Sequence, residues 1–546
     1  MAADRALDTV VVTVDGAPLP AALYPKLTRV RVRESIHLPD QFTMRFEDAH
    51  FRLFDQDRFR PGTAIEIAFR ADGDPVLVTA GEVTTVEVAP GVSGRHELVV
   101  TGLDLAHRLA RGPRTRSFTG MSDSDIAARI AAEHGLDADV DRSGHPREHV
   151  LQVAQTDLAF LRGLAARTGF DVWVTGRELH FKRRPSSRVT PPPLRWGENL
   201  LEFSVRLASA SHCDEAEVIA WDPVEKRTVT GRATEPEYGT DAPAAAQSAE
   251  AARRAFGRIT QRAGHLGATG LEETEAYARS LLSRASGAEV VLRGVAAGNP
   301  LIAAGAEVRL QRVGERLAGA YRVTATEHDF GTDGPYVTRF VCGARDSGEL
   351  ADLVGPGAGD GRRSLAVAVV TSNADPERLG RVRVRFPTLS EQDESTWARV
   401  VTPGGGPGRG VQWLPEVNDE VLVGFEAGDR GRPYVLGGLF NRRDPPPRPD
   451  AARDGGTTHR VLASRTGHRL TFADDDPGSV ELALAGGESA LRLAGADSAL
   501  AGKETLRVTG RTVEISATDR LVLRAPTVEI TADAELRAAG RPIRLN

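Results

Sequence analysis

The sequence predicts a mainly β protein with some α, ending in a small closed barrel and a β-helical shaft built by three chains. Three observations lead to this fold class. Five strand-like segments follow one another within residues 365–439. Apolar pairs then recur every seven or eight residues towards the C-terminus. Helix-capping and helix-ending residues mark only a few segments, all of them in the N-terminal part.

Length and charge limit the class of protein that this chain can be. With 546 residues it is too long for one core, so several domains are expected. Its 69 basic and 75 acidic residues are spread along the chain, which argues against a nucleic-acid-binding protein with a basic face. No apolar run is long enough to cross a membrane, and the first residues lack the layout of a signal peptide. The Arg-, Ala- and Gly-rich composition is typical of a high-GC bacterium, so we expect synthesis in the bacterial cytoplasm without a signal peptide.

Two stretches of low apolar content divide the chain. Residues 355–364 are rich in Gly, and residues 442–457 are rich in Pro, Arg and Asp. Neither stretch can bury enough apolar surface to offset its ordering entropy, so both are predicted to be linkers. Residues 234–270 combine a turn-rich start with an Ala-rich run, which predicts an inserted loop. The predicted organisation is a domain at 1–354, a linker at 355–364, a barrel at 365–441, a linker at 442–457 and a shaft at 458–546.

The N-terminal part contains clear local signals for helices and a hairpin. A capping box that starts at Ser122 predicts a helix ended by Gly135. Thr156 is a second N-cap, and the apolar stripe that follows it is closed by Gly169. Residues 170–181 contain two short apolar runs around a turn, which predicts a hairpin. These elements form a packing unit rather than a catalytic one.

The central strands suit a five-stranded barrel of the oligonucleotide/oligosaccharide-binding (OB) type. Such barrels often bind single-stranded nucleic acid through aromatic side chains above a basic groove. Here the aromatic residues are few and ten acidic residues are spread through the segment, so no nucleic-acid partner is predicted. The strand-like segments are residues 365–371, 380–386, 397–401, 419–425 and 433–439.

The C-terminal part contains a regular repeat of apolar pairs in which one residue separates two apolar ones. Successive pairs are 7, 8, 7, 8 and 7 residues apart, which indicates short strands stacked as similar rungs. Less regular copies occur earlier, at Leu482/Leu484 and Leu491/Leu493. The regular pairs are Leu506/Val508, Val513/Ile515, Leu521/Leu523, Val528/Ile530, Leu536/Ala538 and Ile543/Leu545.

Rungs this narrow cannot enclose a core within one chain. A single-chain β-helix needs about twenty residues per coil, so the core must be shared, most simply by three chains. We therefore predict a homotrimer. Its core would hold Leu506, Val508, Val513, Ile515, Leu521, Leu523, Val528, Ile530, Leu536, Ile543 and Leu545.

Several spaced segments together resemble one known family, the central spike and hub proteins of contractile injection machines. This family includes the VgrG proteins of type VI secretion, the spikes of phage-tail-like extracellular injection systems and the baseplate hub and spike of contractile phage tails. The resemblance covers nearly the whole chain and is most specific in the barrel. The segments that carry it are residues 156–181 and 294–330 in the hub, 375–387, 397–403, 414–429 and 433–441 in the barrel, and 459–484 at the start of the shaft.

The resemblance implies a mechanical role. Three hubs, related to phage late-control D proteins and each with two barrel-like subdomains, would form a ring that joins the sixfold inner tube to the threefold spike. The implied partners are a homotrimer, the hexameric inner tube protein, baseplate proteins, effector cargo, the target membrane on firing and a conical PAAR-like tip protein. The expected contact with the tip protein is the last rung, formed by Arg541, Pro542, Ile543, Arg544, Leu545 and Asn546. The particle would assemble in the cytoplasm or be released from the cell.

No motif predicts an enzyme, a metal site or a cofactor site. His134, His145 and His149 lie close together in sequence, but their spacing matches no familiar ligand pattern, and a solvated loop is the simpler interpretation. The short linker at 442–457 and an end at Asn546 leave no segment for an inserted or appended enzyme, so none is expected. A polysaccharide-degrading β-helix enzyme remains a less favoured alternative. A VgrG of type VI secretion and a prophage tail spike remain alternatives for the machine.

Overall fold

The computed structural model describes residues 9–70, 73–91, 95–183, 190–209, 212–222, 225–236, 243–264, 270–343, 365–388, 393–426 and 428–544. The chain divides into two units, Met1–Leu439 and Phe440–Asn546. The linker predicted at 355–364 lies outside the described residues.

Strands dominate the described residues. The first strands are β1 (Val10–Val14), β2 (Ala17–Pro18), β3 (Leu27–Ser35), β4 (Gln41–Glu47), β5 (Ala64–Phe69), β6 (Val76–Pro90), β7 (His96–Asp104), β8 (Arg114–Met121), β9 (Asp137–Val140), β10 (Arg147–Gln155), β11 (Asp171–Thr175) and β12 (Glu178–Lys182). They are followed by β13 (Leu194–Arg195), β14 (Leu200–Leu207), β15 (Glu215–Asp222), β16 (Arg227–Ala233), β17 (Thr260–Gly264), β18 (Val290–Ala297), β19 (Glu307–Gln311), β20 (Gly319–Gly331) and β21 (Val337–Cys342). The remaining strands are β22 (Ala366–Ser372), β23 (Arg381–Arg385), β24 (Ala398–Val400), β25 (Gly405–Gly406), β26 (Arg409–Gly410), β27 (Glu420–Glu426), β28 (Asp429–Gly438), β29 (Ala452–Arg453), β30 (Gly456–Thr457), β31 (His459–Ala463), β32 (Arg469–Ala473), β33 (Ser479–Ala483), β34 (Ala490–Ala494) and β35 (Ala499–Ala501). The α-helices are α1 (Arg52–Asp55), α2 (Ala106–Leu109), α3 (Asp123–Glu133), α4 (Asp157–Thr168), α5 (Pro243–Phe256) and α6 (Leu271–Glu289), and a 3₁₀ helix spans Ala21–Lys26.

Thirteen strands of the hub form one large sheet. Its order is β14-β18-β21-β20-β3-β4-β7-β6-β5-β1-β2, with β19 paired to β20 and β13 paired to β19. Alternation along each strand separates a core face from a polar face; in β4, for example, Phe42, Met44 and Phe46 are buried. Because β20 pairs with β3, the sheet joins segments about 300 residues apart in sequence.

Two apolar cores lie on this continuous sheet. One includes Phe42, Phe46 and Phe69. The other includes Tyr321 and Phe340. The two cores share one sheet, and the two barrel-like subdomains expected of the hub stay a prediction.

A helical module follows β7 and confirms the local predictions. Ser122 caps α3 by accepting a hydrogen bond from the backbone N–H of Asp125. Thr156 caps α4 in the same way, and Gly169 ends that helix with a φ of 75° in the left-handed region. The hairpin predicted at 170–181 is present as β11 and β12, and β9 adds a parallel third strand.

The loop predicted at 234–270 is wrong for the residues that the structure describes there. The Ala-rich run forms α5, and β17 pairs in parallel with β15. Ala is the strongest helix former, and the helix buries Ala244 and Ala252, so the run forms a packed helix rather than a loop. Helix α6 packs on this small sheet through Ala278 and Leu282.

The central strands close into a barrel, as predicted. Its order is β22-β23-β24-β28-β27. The core is small and aliphatic, with Val370, Val382 and Val423 fully buried and Phe386 at its margin. Each of the five predicted segments contributes one strand of this barrel.

The second unit contains an antiparallel five-stranded sheet in which β31 to β35 follow one another in chain order. A short hairpin, β29 with β30, lies at the end of the predicted linker 442–457. Within described residues 502–544 no strand is present. A strand needs a paired neighbour, so the rungs predicted there do not form within one chain.

Candidate interaction surfaces

One face of the β31–β35 sheet carries a continuous row of leucines. Cross-strand pairing aligns Leu462 with Leu470, Leu470 with Leu482, Leu482 with Leu491, and Leu491 with Leu500. In the single chain Leu482 is 58% exposed and Leu500 is 57% exposed. We call this row, with the adjacent Phe472, Val480 and Leu493, the leucine face.

The opposite face of the same sheet is small and charged. Glu481 pairs across the strands with Arg492, and Ala483 is buried. Side chains alternate between the two faces of a strand, so the sheet is amphipathic. Its apolar side is the exposed one, which is the reverse of an ordinary surface sheet.

Apolar exposure continues through the predicted trimer core. The ten described members are all more than half exposed in the single chain: Leu506, Val508, Val513, Ile515, Leu521, Leu523, Val528, Ile530, Leu536 and Ile543. Leu545, the eleventh, lies outside the described residues. Of the predicted tip contact, Arg541 to Arg544 are described and exposed, and Asn546 is outside the described residues. In a lone chain more than half of each of the ten described apolar side chains therefore stays in contact with water.

The barrel is held to the β8–β10 ribbon of the hub by polar contacts. The backbone N–H and the hydroxyl of Ser117 donate to Oδ1 of Asp393, at 3.0 Å and 2.6 Å. Arg383 donates to Glu148 at 3.4 Å. Since Asp393 and Arg383 belong to the barrel segment, these bonds fix one domain against the other.

The three histidines singled out in the sequence lie in three different environments. His134 contacts Asp157, with Nε2 2.8 Å from Oδ2. His145 is 87% exposed and pairs with Glu272 at 3.2 Å. His149 is half-buried beside the barrel, and burial lowers the pKa of its imidazole. The structure does not bring them together as a metal site.

Asp157, the first residue of α4, is the centre of a polar network. Arg116 and Gln152 both donate to its Oδ1, at 2.7 Å and 2.8 Å. Burial would raise the pKa of this carboxyl, but the hydrogen bonds from His134 and Gln152 and the charge of Arg116 outweigh burial and lower the pKa. The network stabilises the start of the helix, where a negative charge is favoured.

A second polar cluster in the hub consists of two buried acids. The backbone N–H of Asp40 donates to Oδ2 of Asp104 at 2.9 Å, and the N–H of Ala106 donates to Oδ1 of Asp104 at 2.9 Å. Burial raises the pKa of Asp104 to about 7 and, together with the charge of Asp104, raises the pKa of Asp40 well above its usual value. No motif in the sequence indicated this pair.

Comparison with known proteins identifies the family. Residues 5–331, more than half of the chain, match the family model described as the Alg8 N-terminal domain. Residues 366–440, which form the closed barrel, match the model described as the type VI secretion system/phage-baseplate injector OB domain. The type VI secretion system spike protein VgrG5 of Pseudomonas aeruginosa is 25% identical over 383 residues, and VgrG4b of the same organism is 34% identical over 108 residues. The chain belongs to the family whose model is described as the Alg8 N-terminal domain. Its barrel and its relatives are those of a VgrG-like spike protein.

These relatives overlap the chain only in part. The match to VgrG5 covers 60% of this chain and 45% of VgrG5, and the match to VgrG4b covers 18% and 13%. The chain thus spans less than half of the length of the curated relatives that it matches. Both relatives are named as type VI secretion system spike proteins.

Solved structures show the same fold. The E. coli c3393 protein, described as a type VI secretion component similar to T4 phage tail proteins gp27 and gp5, matches with a TM-score of 0.51 at 15% identity over 78% of this chain and 99% of that one. The VgrG of a Francisella PdpA–VgrG complex matches with a TM-score of 0.52 at 8% identity over 90% of this chain and 87% of that one. In that neighbour the VgrG is bound to PdpA. The prediction of a VgrG-like spike is confirmed.

Two further features bear on function. Among the described helices of this VgrG-like chain, none combines the length and apolarity needed to span a membrane.

One group of side chains that sequence reasoning missed, Asp139, Glu178 and His180, places potential metal-ligand atoms within 4.8 Å of one another. The only sequence signal was the two-residue spacing of Glu178 and His180, which puts both side chains on one face of β12.

Proposed function

We propose that three copies of this chain form the hub and spike of a contractile injection machine. The hubs would join the sixfold inner tube to the threefold shaft, and the shaft would carry a puncturing tip and help to deliver effectors. The partners in this proposal are two further copies of the chain, the hexameric tube protein, baseplate proteins, a conical PAAR-like tip, effector cargo and the target membrane.

The observation that carries the proposal is the unbroken run of exposed apolar side chains from the leucine face to Ile543. A soluble chain rarely exposes a contiguous apolar surface of this length, so a partner is expected to cover it. From Leu506 to Ile543 the apolar pairs recur at a step of seven or eight residues. Another copy of the chain has the same repeat and therefore matches it pair by pair.

A three-chain prism also suits the mechanical task. Its strands would pair across chains, so every rung adds backbone hydrogen bonds between copies. Axial force would then have to break many bonds together. The role is structural rather than catalytic, and assembly would take place in the bacterial cytoplasm, with the particle retained or released.

Measuring the solution mass by light scattering tests the proposal. The full chain should have a mass near 175 kDa, three times its 58.4 kDa. Removing the proposed shaft, residues 458–546, should weaken the trimer. The mass per particle should then fall by more than the mass of the removed residues. A stable monomer of the full chain at micromolar concentration would overturn the trimer.

Type VI secretion is the second candidate for the machine. VgrG5, VgrG4b and VgrG3 of Vibrio cholerae are all type VI spike proteins, which favours it. A phage-tail-like particle is our first choice, because the composition and the overall resemblance suit it. Electron microscopy of particles that carry the tagged chain distinguishes a free sheathed particle from a membrane-anchored one.

We further propose that residues 541–546 bind the tip protein. Arg541, Pro542, Ile543 and Arg544 are exposed and follow the last described rung. Deleting 541–546 should abolish co-purification with a PAAR-like tip and leave the trimer mass unchanged apart from the deletion. Unchanged tip binding would refute this assignment.

A further inference from the structure

His180 lies between two carboxylates on one face of the β9–β12–β11 sheet in the hub. Strand register places Asp139 of β9 beside it on one side and Trp173 of β11 on the other. Glu178 and Lys182 are two residues away on the same strand, so they share the face of His180. Three paired strands therefore position this cluster, rather than a loop.

The imidazole of His180 is fixed in orientation. Its Nδ1 is 2.9 Å from Oδ2 of Asp139, and its ring stacks on Trp173 with centroids 4.7 Å apart and planes 15° apart. Nζ of Lys182 is 2.5 Å from the same Asp139 oxygen. The ionised Asp139 requires a proton on Nδ1, which leaves the lone pair on Nε2.

The Nε2 side of the ring faces Glu178. Nε2 lies 3.7 Å from Oε2 of Glu178, which is too long for a hydrogen bond. Two ligands on one tetrahedral zinc ion, with bonds of about 2.0–2.2 Å, are about 3.4 Å apart, so a small shift of the Glu178 side chain would place a metal ion between them.

We infer that Nε2 of His180 and the carboxylate of Glu178 bind a divalent zinc ion, with Asp139 orienting the imidazole. An imidazole that donates its other N–H to a carboxylate is the usual arrangement around protein-bound zinc. The ring is only 8% exposed, whereas Glu178 reaches solvent, which gives an ion a path to the site.

Titration of the full chain with metal ions tests this inference. Isothermal titration calorimetry with Zn²⁺ should show one ion per chain, and Co²⁺ should give visible ligand-field absorption and quench the fluorescence of the adjacent Trp173. Glu178→Gln keeps the size and polarity of the side chain at a partly exposed position, so folding should be unaffected. It should weaken zinc binding about tenfold or more.

His145→Gln is the matched control. His145 also pairs with a glutamate, Glu272, but on an exposed surface and without an orienting carboxylate among its described contacts. This variant should bind zinc like the wild-type chain. The inference is overturned if the wild-type chain binds no zinc, if Glu178→Gln leaves the affinity unchanged, or if His145→Gln weakens binding as much as Glu178→Gln does.

Discussion

Replacing Leu482 by Gln should weaken the proposed trimer. Leu482 is in the middle strand of the β31–β35 sheet, paired with Leu470 and Leu491, and is 58% exposed in the single chain. Complete burial of a leucine contributes about 2 kcal/mol, so covering this exposed share contributes about 1.2 kcal/mol per chain and about 3.5 kcal/mol per trimer. At about 1.4 kcal/mol per factor of ten, the trimer dissociation constant should rise about 300-fold. The cost of burying three amides would add to this.

Sedimentation equilibrium over a dilution series measures the effect. Glu481→Gln introduces the same residue one position earlier, on the opposite face of the same strand. This control should leave the dissociation constant nearly unchanged. The reasoning is refuted if the two variants dissociate alike, because the leucine face would then not be the surface that the copies share.

Three further predictions concern the hub. Burial raises the pKa of Asp104 to about 7, so between about pH 4 and about pH 7 the folded chain keeps a proton that the unfolded chain has released. The free energy of unfolding should therefore fall as pH rises from about 4 to about 7. Asp104→Asn should make this fall less steep when the free energy is measured by urea unfolding. Ser122→Ala should destabilise the hub by about 1 kcal/mol in the same assay, since it removes a helix cap. A Cβ at Gly102 would lie 2.1 Å from the ring of Phe42, so Gly102→Ala should lower the melting temperature, whereas Gly163→Ala, in open space within α4, should raise it slightly.

Local features of this fold could be predicted because their causes are local. Ser122 caps α3 through a bond to a residue three positions away, and Gly169 ends α4 through its own backbone conformation. The barrel strands β23 and β27 alternate half-buried and buried residues over five positions, and this alternation is visible in the sequence. The family resemblance then gave the order of the domains.

The remaining features depend on pairings between distant segments. Arg29 of β3 donates two hydrogen bonds to Asp329 of β20, 300 residues later, and nothing near either residue indicates the other. The pairing of β17 with β15 likewise turns a predicted loop into a sheet. The Asp139–Glu178–His180 cluster needs the register of two strand pairs before its members meet. Sequence spacing alone could not have found it.

In the C-terminal unit the alternation of apolar residues extends further along the chain than the pairing of strands does. The apolar pattern of Leu482 and Leu491 continues into residues 506–543 with the same chemistry and similar exposure. Yet in-chain strand pairing ends at β35 within the described residues. Backbone N–H and C=O groups next to buried apolar side chains require partners, so partners for 502–544 must come from other copies if that apolar surface is to be covered. We therefore expect strand formation in this segment to depend on chain concentration, as in an obligate oligomer.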